Sequence, residues 1–342
     1  MILQEIFGVD LGSDTVKIYS LKKDEILIEK NMIAIRNGDE VIAIGNDAYE
    51  MYEKSPHNIE VSSPMSGGMI ANIGHLEVVL QLLLRKISRY FGSRPIVYFS
   101  VPMNMTEIEK RAYHAVASGG DLRKSRVYLV ERPIVTALAL GIPITKTRGS
   151  MIIDMGAQST ELSIIADSRV IISKPLGSGG NSIDDAIVAN VRKRCGLHIS
   201  RRTAARLKAA MAGFSLEKSE ARKVVGVDTV SGLPREGIVT DVIVNEAVRR
   251  IVNHMCEEIQ LFLERTPPQV RSSILQEGIY LAGGCTKITN LSAYLSRRLE
   301  CAVKTSQYSD LSAVYGLKEI ITHKTLWHWA FPARSKGKKH RY

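Results

Sequence analysis

Asp10-Leu-Gly12 and Asp154-Met-Gly156 each stand at the end of an apolar run, and small or polar residues follow both. Ser13, Asp14 and Thr15 come after the first glycine; Ala157, Gln158, Ser159 and Thr160 come after the second. A tight glycine turn of this kind aims consecutive backbone N–H groups into one hollow, which suits a phosphate. The hydroxyls add donors. An aspartate beside the turn can hold Mg²⁺ through water, because Mg²⁺ keeps several of its waters when bound. Asp10 and Asp154 are therefore the expected Mg²⁺-facing pair. A third turn, Gly283-Gly284-Cys285-Thr286, follows the apolar run 278–282 and is expected to open a helix, a setting that suits a nucleoside or an α-phosphate. One Asp-x-Gly turn alone would be an ordinary hairpin turn. Three at these separations, two of them heading hairpins, imply a nucleotide cleft.

The elements that position these turns read out twice. Residues 5–10 form an apolar strand and 15–21 an alternating one, as in a hairpin. A helix at 76–91, a strand at 95–101, a helix capped by Thr106 and Glu109, a strand at 127–130 and a helix from Pro133 follow. The pattern then restarts, with a strand at 150–154, alternating strands at 160–166 and 169–175, and a long helix from Ser182. Two hairpin units that each open on Asp-x-Gly suggest two domains facing one shared phosphate.

The chain of 342 residues is long enough for two cores. Lys and Arg number 46 against 35 Asp and Glu, a net charge of +11 that favours anionic partners: nucleotide, nucleic acid or acidic lipid. Cys195, Cys256, Cys285 and Cys301 form no CxxC or Cys/His cluster, so reduced thiols in a cytoplasm are expected rather than zinc or disulfides. No signal peptide is visible, and the longest apolar run, near 78–84, falls far short of the roughly 20 residues a spanning helix needs. The expected protein is cytoplasmic, and peripheral where it meets a membrane.

At these turns the chain resembles the actin, sugar-kinase and heat-shock-chaperone superfamily, and within it the bacterial actin MreB family. The resemblance runs from about Ile6 to Leu326. It is carried by Phe7-Gly-Val-Asp-Leu-Gly-Ser13, Glu107-Ile-Glu-Lys-Arg111, Ser231-Gly-Leu-Pro-Arg235, Glu264-Arg-Thr-Pro-Pro268 and Glu277-Gly-Ile-Tyr-Leu-Ala-Gly-Gly284. The third and fourth of these are typical of MreB-like proteins rather than of the superfamily at large. The resemblance implies an α/β, two-domain actin-like ATPase fold, each domain a mixed β-sheet flanked by helices. Domain I would span 1–146, completed by a C-terminal helix at 311–331. Domain II would span 147–310, and 332–342 would be a basic tail. It also implies ATP and Mg²⁺ between the domains. The expected partners are further copies of the chain in a filament, the inner membrane face, other MreB-like proteins and the cell-wall synthesis machinery.

Several positions depart from the family. Its water-orienting Glu precedes a Pro; here the motif reads Glu131-Arg132-Pro133, and a guanidinium cannot accept a proton. Arg132 could instead pair with a γ-phosphate, and Glu131 is the substitute water-orienter, although a neighbouring residue should point elsewhere. The second phosphate turn, glycine-rich in the family, reads Gly156-Ala157-Gln158-Ser159, and Cys285 replaces a third glycine. Where the family has a nucleoside-holding Glu, this chain has Lys208, with Arg206 nearby. Lys17 sits where actin carries a phosphate-contacting lysine, and strand alternation leaves it facing the cleft or solvent. These departures imply a pocket that binds nucleotide weakly and hydrolyses it slowly or not at all.

The C-terminus joins Trp327, Trp329 and Phe331 to Arg334, Lys336, Lys338, Lys339 and Arg341. Aromatic rings favour the headgroup boundary and basic residues favour an anionic leaflet. Trp327, Trp329, Phe331, Lys338 and Lys339 are thus candidate membrane residues. The plainer alternative has the aromatics capping the first domain's core. No nucleic-acid fold accompanies the tail, so nucleic acid is not the expected partner. Tyr90 and Phe91 read as core. Two further functions stay open: a non-hydrolysing MreB paralogue acting as scaffold or co-polymer, and a monomeric actin-fold sugar kinase.

Overall fold

The computed structural model describes residues 5–88, 91, 94–214 and 220–334. In chain order, the first part holds β1 (Ile6–Leu11), β2 (Thr15–Ser20), β3 (Glu25–Lys30), β4 (Ile33–Arg36), β5 (Glu40–Ile44), α1 (Gly45–Met51) and β6 (Ile59–Ser62). It continues through β7 (Met65–Ser66), β8 (Met69–Ile70), α2 (Ile73–Ile87), β9 (Ile96–Val101), α3 (Glu107–Val116), β10 (Arg126–Glu131) and α4 (Arg132–Ala139). Next come β11 (Ser150–Met155), β12 (Thr160–Ala166), β13 (Arg169–Leu176), α5 (Gly180–Cys195), β14 (Leu197–His198), α6 (Arg201–Met211), β15 (Ala221–Asp228) and β16 (Pro234–Thr240). Then α7 (Asp241–Glu264), α8 (Pro268–Glu277), β17 (Ile279–Ala282), α9 (Leu291–Leu299) and β18 (Val303–Lys304) precede α10 (Ser312–Thr322) and β19 (Phe331–Pro332). These elements divide into two compact units, residues 1–141 with 311–342, and residues 142–310.

The first unit is built on a six-stranded sheet in the order β19-β10-β9-β1-β2-β3. β1 lies antiparallel to β2 and parallel to β9, and β9 lies parallel to β10. Helices cover this sheet, so its middle strands are mostly apolar, and β9 is buried at every residue. α2 starts at Asn72, whose side chain accepts from the His75 N–H. It buries Leu76, Val79, Leu80, Leu83, Leu84 and Ile87 as one stripe. Thr106 and Glu109 make the expected capping box on α3. Phe91 is in the core, edge-on to Phe7, as its sequence context suggests, whereas Tyr90 lies outside the described residues. α10 crosses α4 at backbone contact: a Cβ on Gly316 would stand 1.8 Å from the Val135 carbonyl oxygen.

The second unit repeats the scheme with the order β13-β12-β11-β17-β18. β11 pairs antiparallel with β12 and parallel with β17, matching the pairings of β1. Its core gathers Ile153, Leu162, Ile164, Ile183, Ile187 and a stripe on α7 running through Val248, Val252, Met255 and Ile259. The duplication legible in the sequence is therefore a duplicated sheet, three antiparallel strands followed by parallel ones. Each unit adds a small sheet of its own, β5-β4-β6 in the first and β14-β15-β16 in the second. Among the described residues, no helix is long and apolar enough to cross a membrane.

Candidate functional site

The β1–β2 turn closes with the Gly12 N–H donating to the Thr15 carbonyl at 3.0 Å. A Cβ on Gly12 would lie 2.7 Å from that carbonyl oxygen, so the turn needs glycine for closeness. The β11–β12 turn has the same closure, the Gly156 N–H donating to the Ser159 carbonyl at 3.0 Å. Both glycine turns thus share one backbone form, the local basis for reading them as anion seats.

Three groups brace the first turn from behind. Asn31, fully buried, donates its side-chain amide to the Gly12 carbonyl at 2.8 Å and its backbone N–H to the Asp14 carbonyl at 2.8 Å. The Ser63 hydroxyl donates to the Ser13 carbonyl at 3.2 Å. Nothing in the sequence pattern marks Asn31 or Ser63, because both come from strand ends beyond the hairpin. The Asp14 carboxylate is held by Lys30 at 2.8 Å on the exposed side.

Asp10 is the centre of the first half. The hairpin register places it opposite Lys17, and Lys17 Nζ donates to Asp10 Oδ2 at 3.1 Å. Arg132, the first residue of α4, brings Nη2 to 3.5 Å from Asp10 Oδ1. The side chains are mostly covered, at 7% exposure for Asp10, 16% for Lys17 and 17% for Arg132. Burial pushes the Asp10 carboxyl up, but Lys17 and Arg132 outweigh it and hold the group below the ordinary carboxylate value. Of the two orientations open to Lys17 in the sequence, the structure shows the one that faces Asp10. A carboxylate with a cation on each oxygen does not fit a divalent ion, which would have to displace at least one of them. Glu131 is half-buried; burial pushes its carboxyl up, and the charge of Lys110 on α3 opposes this.

In the second unit, Asp154 sits opposite Glu161 in the hairpin register. Gly283 packs against it: φ is +88°, and a Cβ would stand 2.5 Å from Asp154 Oδ1 and 2.4 Å from the Met155 carbonyl oxygen. Only glycine fits that corner. The Thr286 hydroxyl donates to the Gly283 carbonyl at 2.8 Å, and residues 284–287 make a single 3₁₀ turn rather than opening a longer helix. The flank of Gly284 is open.

Two departures from the family look different in three dimensions than in sequence. Cys285 is buried, with Sγ 3.6 Å from the Gly156 carbonyl oxygen, and burial pushes the thiol up to about 11. Lys208 turns inward to the start of α5, donating to the Gly180 carbonyl at 2.8 Å and pairing with Asp184 at 2.8 Å. Burial pushes the Asp184 carboxyl up against the pull of Lys208. Arg206, two residues earlier on α6, is exposed on another face, so the structure does not bring Arg206 and Lys208 together. Thr160 is buried, and its hydroxyl donates to the Ser178 carbonyl at 2.8 Å rather than outward. Gln158 and Ser159 stay partly exposed on the turn.

The C-terminal aromatics divide. Phe331 pairs with Leu129 as the edge strand β19, and Phe331 and Ala333 pack on the first unit's core. Trp327 is 45% exposed on a 3₁₀ turn, and Trp329 is half-buried. Lys338 and Lys339 lie outside the described residues.

The family model of MreB/Mbl proteins matches residues 4–327 of this chain. The cell shape-determining protein Mbl of Bacillus subtilis is 30% identical over 305 residues, covering 88% of this chain and 90% of Mbl. MreB of Escherichia coli is 30% identical over 299 residues, covering 84% of this chain and 85% of MreB. Among solved structures, MreB5 of Spiroplasma citri bound to AMPPNP superposes with a TM-score of 0.88 at 26% identity, covering 96% of this chain and 98% of MreB5. The MamK double helical filament superposes with a TM-score of 0.78 at 17% identity, covering 94% of this chain and 99% of MamK, a likeness of actin-like fold.

Proposed function

The chain belongs to the MreB/Mbl family, and from that premise we propose that it is an ATP-binding cytoskeletal protein that assembles into filaments with copies of itself. MreB5 binds AMPPNP and ADP in its solved structures, and MamK forms double helical filaments. The observation that carries the nucleotide reading here is the shared closure of the Gly12 and Gly156 turns, each beside an aspartate one residue short of the end of a largely buried strand. Gly12, Ser13 and Thr15 in the first unit, and Gly156, Gln158, Ser159, Gly283 and Gly284 in the second, are the groups proposed to meet the nucleotide. Asp10, with a cation on each oxygen, is not among the groups proposed to hold Mg²⁺.

The filaments are proposed to lie at the inner membrane face, where Trp327 and the basic tail meet anionic lipid. There they direct cell shape with other MreB-like proteins and the cell-wall synthesis machinery. Turnover of ATP is proposed to be slow. Arg132 replaces the proton-accepting residue, and burial pushes the carboxyl of the neighbouring Glu131 up. The same observation favours a second reading, a scaffold that binds nucleotide without hydrolysing it and co-polymerises with a more active relative.

Electron microscopy of the purified protein on anionic liposomes, with and without ATP, separates these. Filaments that form only with ATP support a nucleotide-gated polymer. Filaments regardless of nucleotide support the scaffold. A bare membrane under both conditions overturns autonomous assembly and returns the monomeric kinase to contention.

A further inference from the structure

We propose that Lys17 and Arg132 take the place of the divalent cation at Asp10, so that this chain binds nucleotide phosphates without Mg²⁺. The inference rests on the nucleotide reading above and specifies how the first unit would meet the phosphates.

Three features of the Asp10 cluster carry it. The contact is written into the backbone, because Asp10 and Lys17 are cross-strand partners in the β1–β2 hairpin. Arg132 comes from the start of α4, immediately after β10, and its Nη2 lies 3.5 Å from Asp10 Oδ1. Both cationic side chains are largely covered, at 16% and 17% exposure, so neither is a solvated arm that happens to rest on a carboxylate.

Charge decides what the cluster does. Two cations against one carboxylate leave one net positive charge, the same as a single divalent ion on a single carboxylate. The electrostatic demand of a phosphate beside the Gly12 turn is therefore met by the protein's own groups. The guanidinium supplies a planar fork matched to phosphate oxygens, and the ammonium a compact point charge. A divalent ion added at Asp10 would instead face two like charges within a few ångströms of its carboxylate, in a largely covered site where such repulsion is poorly screened. The contrast with the second hairpin is internal to the chain. There the residue that stands opposite the aspartate in the hairpin register is Glu161, not a lysine.

The ligand class is a nucleoside di- or triphosphate, recognised through its phosphates. The test is equilibrium titration of a fluorescent ATP analogue, once with EDTA and once with millimolar Mg²⁺. The expected result for the wild-type chain is a dissociation constant that differs by less than about threefold between the two conditions, under 1 kcal/mol. Arg132→Glu should bind at least about tenfold more weakly in EDTA and recover with Mg²⁺, because the substitution removes a cation and adds a carboxylate. Wild-type binding that collapses in EDTA would overturn the inference while leaving the nucleotide reading intact. Absence of binding in both conditions would overturn the two together. The wild-type comparison decides even where the variant fails to fold.

Discussion

Removing the lysine from the Asp10 cluster should be among the more damaging single changes to the first unit. Lys17→Met keeps the length of the side chain and deletes only the charge and its hydrogen bond. At the observed 3.1 Å, a pair of unit charges in an effective dielectric of about 20 attracts by about 5 kcal/mol. That is an upper bound. Lysine no longer has to be desolvated once it is gone, and Arg132 stays 3.5 Å from the carboxylate. Breaking a fully buried pair by removing one partner costs about 3–5 kcal/mol, and these side chains keep some contact with solvent, so about 2 kcal/mol is the expected loss.

Both tryptophans, Trp327 and Trp329, belong to the first unit, so tryptophan fluorescence during urea unfolding follows that unit. Double substitution with Asp10→Asn should recover much of the loss, because the stranded carboxylate is then gone. The pH dependence has a definite sign. Asp10 is held below its unfolded value, near about 3.9, so its contribution is complete above that pH and is lost as pH falls through the lower folded value. In Lys17→Met, burial is less opposed and Asp10 protonates at higher pH, so the gap to wild type is full near neutrality and narrows as acid is added. A loss under about 0.5 kcal/mol near neutral pH, or a gap indifferent to pH, would refute the reasoning.

Gly316→Ala should destabilise the same unit by about 3 kcal/mol or more, because its Cβ would meet the Val135 backbone at 1.8 Å and α10 would have to move off α4. The fluorescence midpoint checks this, and a shift worth less than about 1 kcal/mol would show that the helices part easily. Cys285, whose thiol burial raises to about 11, should resist iodoacetamide near neutral pH in the native protein, whereas the half-buried Cys195 reacts. After denaturation all four cysteines should react, which mass spectrometry of the peptides reads directly. Equal native rates for Cys285 and Cys195 would mean that the Gly283–Thr286 turn opens readily.

What the sequence disclosed and what it hid separate along the distance over which each feature is determined. The hairpins and their Asp-x-Gly turns were readable because apolar runs, alternation and glycine act over a few residues. The capping box of Thr106 and Glu109 was readable for the same reason. The family resemblance was readable too, since Ser231-Gly-Leu-Pro-Arg235 and the glycine turns are contiguous. The side-chain directions within the candidate site were not. Whether Lys17 met Asp10 or solvent depended on a hairpin register that alternation alone leaves undetermined. Arg132 reaches Asp10 only because β9 intervenes between β1 and β10 in the sheet, a pairing order absent from any local window.

Cys285 and Lys208 follow the same logic. As replacements in a motif they read as losses, yet each has a contact far away in the chain, the Gly156 carbonyl for one and Asp184 for the other. Substitutions in a nucleotide motif therefore carry two independent meanings. One is the loss of the family's group; the other is the new contact that the replacement makes. Arg132 is the position where both act at once. It removes a proton acceptor, which argues for slow turnover, and it adds a cation at Asp10, which argues for phosphate binding. The metal dependence of binding, rather than the rate of hydrolysis, is therefore the property that distinguishes a retained nucleotide site from a lost one.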